Sequence, residues 1–325
     1  MTKQLSKKLA PFFEHRDARA QYYSVAISDE AIIALGRSDS AVRLLDARGG
    51  QTPRIAPLRL PGVIASWVHA IAIDSQRVVA ATNRSIDCYR IELASRAIDR
   101  IPNRSVTHAI ALRDGKLALA AENCIAGTVL QLDSYCGMPT AEGNVFAAVA
   151  MHSDASRIAA YRVDAGWRAG ANGSRLTLAG FTGEIDGPPP HNARAWSLAI
   201  TLTQPQYAKL PALGWLGDTV VIAERDPKGF AGLHVIGERR PPRIAWPKGF
   251  VAAEVAFAAR IAIAIDERGR IAVALPDHTT QLMRFTVDPP VANVAVSSNA
   301  RYLAYAAAFE SCRVYDIAFA ELEHG

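Results

Sequence analysis

What this chain lacks narrows it first. Four cysteines in 325 residues, Cys88, Cys124, Cys136 and Cys312, with no C-x-x-C among them, exclude a disulfide-stapled small scaffold and a cysteine zinc cluster. A chain of this length buries roughly 75% of its unfolded surface and needs no staple. The four are read as reduced thiols, a disulfide between Cys124 and Cys136 being the alternative. No apolar run approaches the roughly 20 residues a spanning helix needs. The most apolar window, Val251 to Asp266, is interrupted by Glu254 and Arg260. Near the N-terminus, Leu9 to Phe13 is too short an apolar run for a signal-peptide core. The expectation is a cytoplasmic protein without membrane contact.

Catalytic motifs are missing too: there is no G-x-S-x-G, no H-E-x-x-H and no glycine-rich phosphate loop followed by lysine. Neither enzyme activity nor a cofactor is expected. A charge of one sign is also lacking, because 36 Lys and Arg stand against 31 Asp and Glu for a net charge of +5. The arginines are scattered singly, whereas nucleic-acid binding needs basic charge gathered on one face.

What is present is a repeat. Residues 291 to 318 read VANVAVSSNARYLAYAAAFESCRVYDIA: two short runs rich in β-branched and aromatic residues split by the turn Ser297-Ser298-Asn299, then an alternating run ending at Asp316. The same phrase starts at Tyr22, with Ser28-Asp29-Glu30 as its turn, and again at His69 and His108. Anchored on an alanine of the first strand, copies fall at Ala26, Ala72, Ala111, Ala150, Ala212, Ala256 and Ala295. Steps of about 40 residues suit a four-stranded propeller blade. The window 251 to 266 is alanine-rich and unbroken by Gly or Pro, as a helix would be. It is nevertheless read as two strands, because the turn Glu267-Arg268-Gly269 and a further period-two run follow it.

Through this period, and through the strand endings Leu44-Leu45-Asp46, Leu130-Gln131-Leu132-Asp133 and Val314-Tyr315-Asp316, the chain resembles the WD-repeat β-propeller family in degenerate form, without its Gly-His and Trp-Asp pairs. The resemblance covers nearly the whole length and implies interaction work rather than a particular partner. The expected fold is all-β: a single seven-bladed propeller of four-stranded antiparallel blades starting near 22, 68, 107, 145, 209, 252 and 292. The last unit ends after its third strand. Residues 10 to 15 are therefore expected to supply the fourth and close the ring, with 1 to 9 a loose tail.

Two sets of residues could carry function. His69 and His108 stand three residues before adjacent anchor alanines, near the mouth of the axial channel. They are weak candidates for sharing a metal, and a hydrogen bond between strand and loop is the favoured role. The second set interleaves aromatic and basic residues in connections that meet on one rim. Arg37, Arg84, Trp167, Arg168, Arg225, Lys228 and Phe230 lie between second and third strands, and Trp67, Tyr207, Trp246, Lys248 and Phe250 between blades. Exposed Trp and Arg carry interface hot spots, though tryptophans packed between blades would leave the same letters. The reading is a non-catalytic scaffold or adaptor subunit of a larger assembly that binds a protein partner through this rim. The alternatives are an RNA- or single-stranded-DNA-binding propeller, and a propeller hydrolase or lyase with a channel-mouth site holding metal through His69 and His108.

Overall fold

The computed structural model describes residues 7–17, 21–49, 56–63, 66–103, 105–121, 124–129, 136–139, 144–164, 175–185, 191–201, 211–226, 229–237, 243–289, 293–306 and 311–317. Among them are 29 strands and no helix. β1 (Lys7–Lys8) and β2 (Phe13–Arg16) come first. Then follow β3 to β6 (Tyr22–Ile27, Ile32–Arg37, Ala41–Asp46, Leu58–Arg59) and β7 to β10 (Val68–Ile73, Arg77–Thr82, Cys88–Glu92, Ile98–Ile101). Next are β11 to β14 (Thr107–Arg113, Lys116–Ala121, Cys124–Val129, Cys136–Pro139) and β15 to β18 (Asn144–Met151, Arg157–Asp164, Arg175–Glu184, His191–Thr201). The last are β19 to β22 (Ala212–Leu216, Thr219–Asp226, Gly229–Val235, Arg243–Ala245), β23 to β26 (Ala252–Phe257, Ala262–Asp266, Arg270–Ala274, Thr280–Thr286) and β27 to β29 (Asn293–Val296, Tyr302–Ala306, Ser311–Asp316).

Turn chemistry separates these strands as the sequence suggests. In the first hairpin the Ser28 hydroxyl accepts from the amides of Glu30 and Ile32, and Ala31 takes a positive φ of 63° to complete the bend. In the alanine-rich window β23 and β24 pair antiparallel, Ala256 facing Ile263, so the stretch is two strands.

The expectation of seven separate blades is corrected. Among the described residues the strands assemble into six hydrogen-bonded sheets, five of four strands and one of nine, so the propeller has six blades rather than seven. In the large sheet Phe230 on β21 pairs with Ala252 on β23, which joins β19 to β22 with β23 to β26. One hydrophobic cluster spans the join, holding Leu233, Trp246, Phe250, Ala252 and Ala264. β22 takes the rest of that edge of β21, from Gly232 to His234, and the single β23 pair makes the two repeat units continuous.

Packing between sheets explains the abundance of alanine. Ala34, Ala80, Ala118, Ala159, Ala264 and Ala304, all on second strands, are wholly buried where neighbouring sheets approach. The anchor alanines of the first strands instead line the axial cavity. At the ring closure β2 pairs antiparallel with β29, Phe13 opposite Val314 and Arg16 opposite Ser311. Lys7 and Lys8, expected in a loose tail, pair in parallel with Phe285 and Thr286 of β26. Cys124 faces Pro139 and Cys136 faces Gly127, three registers or about 10 Å apart along the strands, beyond disulfide reach. The alternative of a bridge between them is thereby corrected. Cys88 and Cys312 are buried free thiols, and burial pushes both up to about 12.

Candidate protein-binding face

One end of the ring carries the starts of the first strands and the connections between second and third strands. Tyr23, near the start of β3, and Trp67, immediately before β7, stack here across adjacent blades, ring centroids 5.6 Å apart and planes at 25°. Both are open to solvent, at 40% and 39% exposure. Their backbones are held firmly. The Asn83 side-chain oxygen accepts from the Trp67 amide at 3.1 Å and from the Ser66 hydroxyl at 2.8 Å, while the Ser66 carbonyl accepts from the Ser40 hydroxyl. Asn293, from the far end of the chain, donates to the Tyr23 carbonyl at 2.8 Å, and the Tyr23 hydroxyl donates to Gln21. Beside the pair, the turn after β8 leaves Arg84 exposed and Ile86 49% exposed. The result is a rigid apolar surface with one guanidinium at its edge.

The other rim residues divide. Arg37 is 8% exposed and belongs to the interior, its guanidinium bonded to both carboxylate oxygens of Asp39 and to Asp17 at 3.1 Å. Trp246 and Phe250 are 6% and 5% exposed, with rings 6.2 Å apart. They fill the join in the nine-stranded sheet and cannot act as exposed anchors. Lys248, between them in sequence, is exposed. Arg225 and Phe230 face each other in the β20–β21 ladder. Trp167, Arg168, Tyr207 and Lys228 lie outside the described residues. Ile86 was missed by sequence reasoning, although an isoleucine inside the polar turn Asn83-Arg84-Ser85-Ile86-Asp87 has no strand to bury it.

His69 and His108 do meet, as edge-on rings 6.4 Å apart. Among the described residues no group of three or more His, Cys, Asp or Glu is arranged to hold a metal. Burial holds His69 below the ordinary value of 6.5; a backbone contact with Thr107 opposes this in part and the neighbouring His108 adds to it. His15 is lowered likewise, by burial and then by Arg43. An unfolded chain would take up protons near 6.5 that these folded sites refuse, so their contribution to stability is present above 6.5 and is lost as pH falls below it. Urea titrations on either side of 6.5 should show the midpoint falling with pH, and His69→Gln should flatten that fall.

The axial cavity, of about 600 Å³, is lined by Ala26, Ala72, Ala111, Ala150, Ala256 and Ala295. Its far mouth carries Asp29, Asp74 and Asp114. Asp74 builds its own turn, and both Asp74 and Asp29 bridge neighbouring units. Asp74 accepts from the amides of Gln76, Arg77 and Gly115, and Asp29 from the amide of Asn299. Their carboxylates are engaged in the fold.

No family model matches the sequence, and no curated protein matches it. Solved structures do: a chain from the crystal structure of a mitotic checkpoint complex aligns over 98% of this chain and 95% of its own, with a TM-score of 0.63 and 10% identity. This chain is a β-propeller. At 10% identity the likeness speaks for the fold alone, and 1089 solved chains share it, so the propeller by itself selects no activity. Among the described residues no helix is long and apolar enough to cross a membrane.

Proposed function

We propose that this propeller is a non-catalytic interaction platform, a cytoplasmic subunit that binds a partner protein through the face carrying Tyr23, Trp67, Arg84 and Ile86. The observation that carries the reading is the stacked, solvent-exposed Tyr23–Trp67 pair. Two large rings left in water on a backbone pinned by Asn83 and Asn293 form a preorganised apolar anchor, which lowers the ordering cost of binding. In this proposal Lys248 and Arg225 extend the surface, and Lys228, Trp167 and Arg168, outside the described residues, are assigned to it from the sequence alone. A protein partner is favoured over nucleic acid because Arg37 is committed to ion pairs with Asp17 and Asp39, and Arg43 to Asp17. Beside the rings this leaves Arg84, so the centre of the surface is apolar rather than basic, which suits a protein partner better than a phosphate backbone. The likeness to a chain from a mitotic checkpoint complex is in keeping with this reading.

The test places a photo-crosslinking residue at Ile86 and, separately, at Gln76, which is exposed near the opposite end. A protein captured from Ile86 and not from Gln76 is expected. Tyr23→Ala with Trp67→Ala should weaken its binding by about 30-fold or more while the melting temperature stays nearly unchanged. Equal capture from both positions, or binding that survives the double substitution, removes the assignment. A nuclease-sensitive captured species would favour the nucleic-acid reading.

A further inference from the structure

Every blade of a propeller ends in an outer edge, and this chain guards its described edges in different ways. β6 and β22 are only two and three residues long. β10 carries exposed Asp99 and Arg100, β14 contains Gly137 and Pro139, and β2 carries Glu14 and Arg16. β26 is covered at Phe285 and Thr286 by β1, added in parallel, and carries exposed Arg284. Short strands, charges, proline and a covering segment are the means by which edges avoid pairing with another chain.

β18 is the least guarded of these edges. It runs for 11 residues, HNARAWSLAIT, with no proline or glycine and with Arg194 as its one permanently charged residue. Among the described residues it pairs with β17 alone. The strand is firmly seated on its inner side: Leu198 is buried, and the Trp196 ring lies over Gly180, where a Cβ would sit 2.1 Å from it. Ala195 and Ser197, on the other face of the strand, are exposed. Side chains stand above and below the sheet, so it is the outer row of β18 amides and carbonyls, facing away from β17, that can receive a second backbone.

We propose that this edge binds a second copy of the same chain, β18 against β18, antiparallel about a two-fold axis through the middle of the strand. The two blades then form one continuous eight-stranded sheet. The strand is its own complement. Pairing about Trp196 sets Arg194 opposite Leu198, and pairing about Ser197 sets it opposite Ile200, so like charges face each other in neither register. An 11-residue strand spans roughly 35 Å, far longer than the other outer edges offer. The pairing of β1 with β26 shows that the outside of a blade in this fold accepts an added strand.

Sedimentation equilibrium of the full chain tests this. Wild-type protein should show a monomer–dimer equilibrium. Ala195→Glu with Ser197→Glu puts carboxylates face to face in either register, and Ala195→Lys with Ser197→Lys does the same with ammonium groups. Each double variant alone should self-associate about tenfold or more weakly. Because both positions are exposed, melting should be unaffected. An equimolar mixture of the two variants should dimerise again through Glu–Lys facing pairs, a rescue that misfolding cannot produce. Wild-type protein that stays monomeric at every concentration overturns the proposal. So do a dimer indifferent to both double variants and a mixture that fails to restore it. Hydrogen-exchange protection of β18 only upon addition of a different protein would assign the edge to a foreign strand instead.

Discussion

Deleting residues 1–16 should destabilise the propeller by on the order of 5 kcal/mol, most of what a domain of this kind has to lose. The segment closes the ring twice. β2 pairs with β29, and the Phe12 amide continues the ladder to the Val314 carbonyl at 2.9 Å. Phe13, 8% exposed, sits in the cluster of Tyr22, Ile33 and Val314, and its burial is worth about 1.5–3 kcal/mol. Farther out, Leu9 packs partly buried against a second cluster and donates its amide to Thr286, while Lys8 meets Asp288 at 2.5 Å. Lys8 is largely exposed, so its ion pair adds little. Removing the segment would strip β29 of its partner and expose an edge ending in Tyr315 and Asp316. A lower urea midpoint with a strand-rich circular dichroism spectrum is expected. A synthetic peptide of residues 7–17 added in trans should recover part of the loss, because it restores the missing ladder. Unchanged stability after the deletion would show that the closure contributes nothing.

Gly36→Ala should cost about 2–4 kcal/mol and weaken partner binding as well. Gly36 lies on β4, against Val68 of the second blade. A Cβ there would meet the Ser24 hydroxyl oxygen at 2.2 Å, the Val68 carbonyl oxygen at 2.6 Å and a Val68 methyl at 2.7 Å. Ser24 could rotate away only by giving up its 2.8 Å bond to that same carbonyl, which spans the two blades. Val68 is wholly buried and follows Trp67 directly, so relief of the clash must move the backbone that presents the exposed indole. Stability and binding should fall together. The double alanine substitution of Tyr23 and Trp67, by contrast, separates them. A Gly36→Ala protein with a wild-type melting temperature would mean that the blades part easily at this point.

The strands themselves were legible from local pattern. Val294-Ala295-Val296 and Tyr302 to Tyr305 became β27 and β28 because period-two apolar runs bounded by Ser, Asn and Asp turns have few alternatives. Even the helix-like window at 251 to 266 resolved correctly, since the turn and the run after it required two strands to precede them. The count of sheets was not legible. It depends on one backbone pair, Phe230 with Ala252, between residues more than 20 positions apart, and no local pattern records such a pair.

The candidate surface shows the same division. Arg37, Arg84, Trp67, Trp246 and Phe250 are equivalent as letters in loops, and nothing in their neighbours separates them. Local pattern specified the period, the turns and the strands, because each follows from interactions within about 40 residues, and the three-strand last unit left a place for the N-terminal segment that pairs with it from about 300 positions away. Only the tertiary structure decided that Trp246 and Phe250 fill the join of the large sheet, that Arg37 is consumed by Asp17 and Asp39, and that Tyr23 and Trp67 stack in the open. Burial belongs to the surfaces that come together when the ring closes, and those surfaces are distant in the chain.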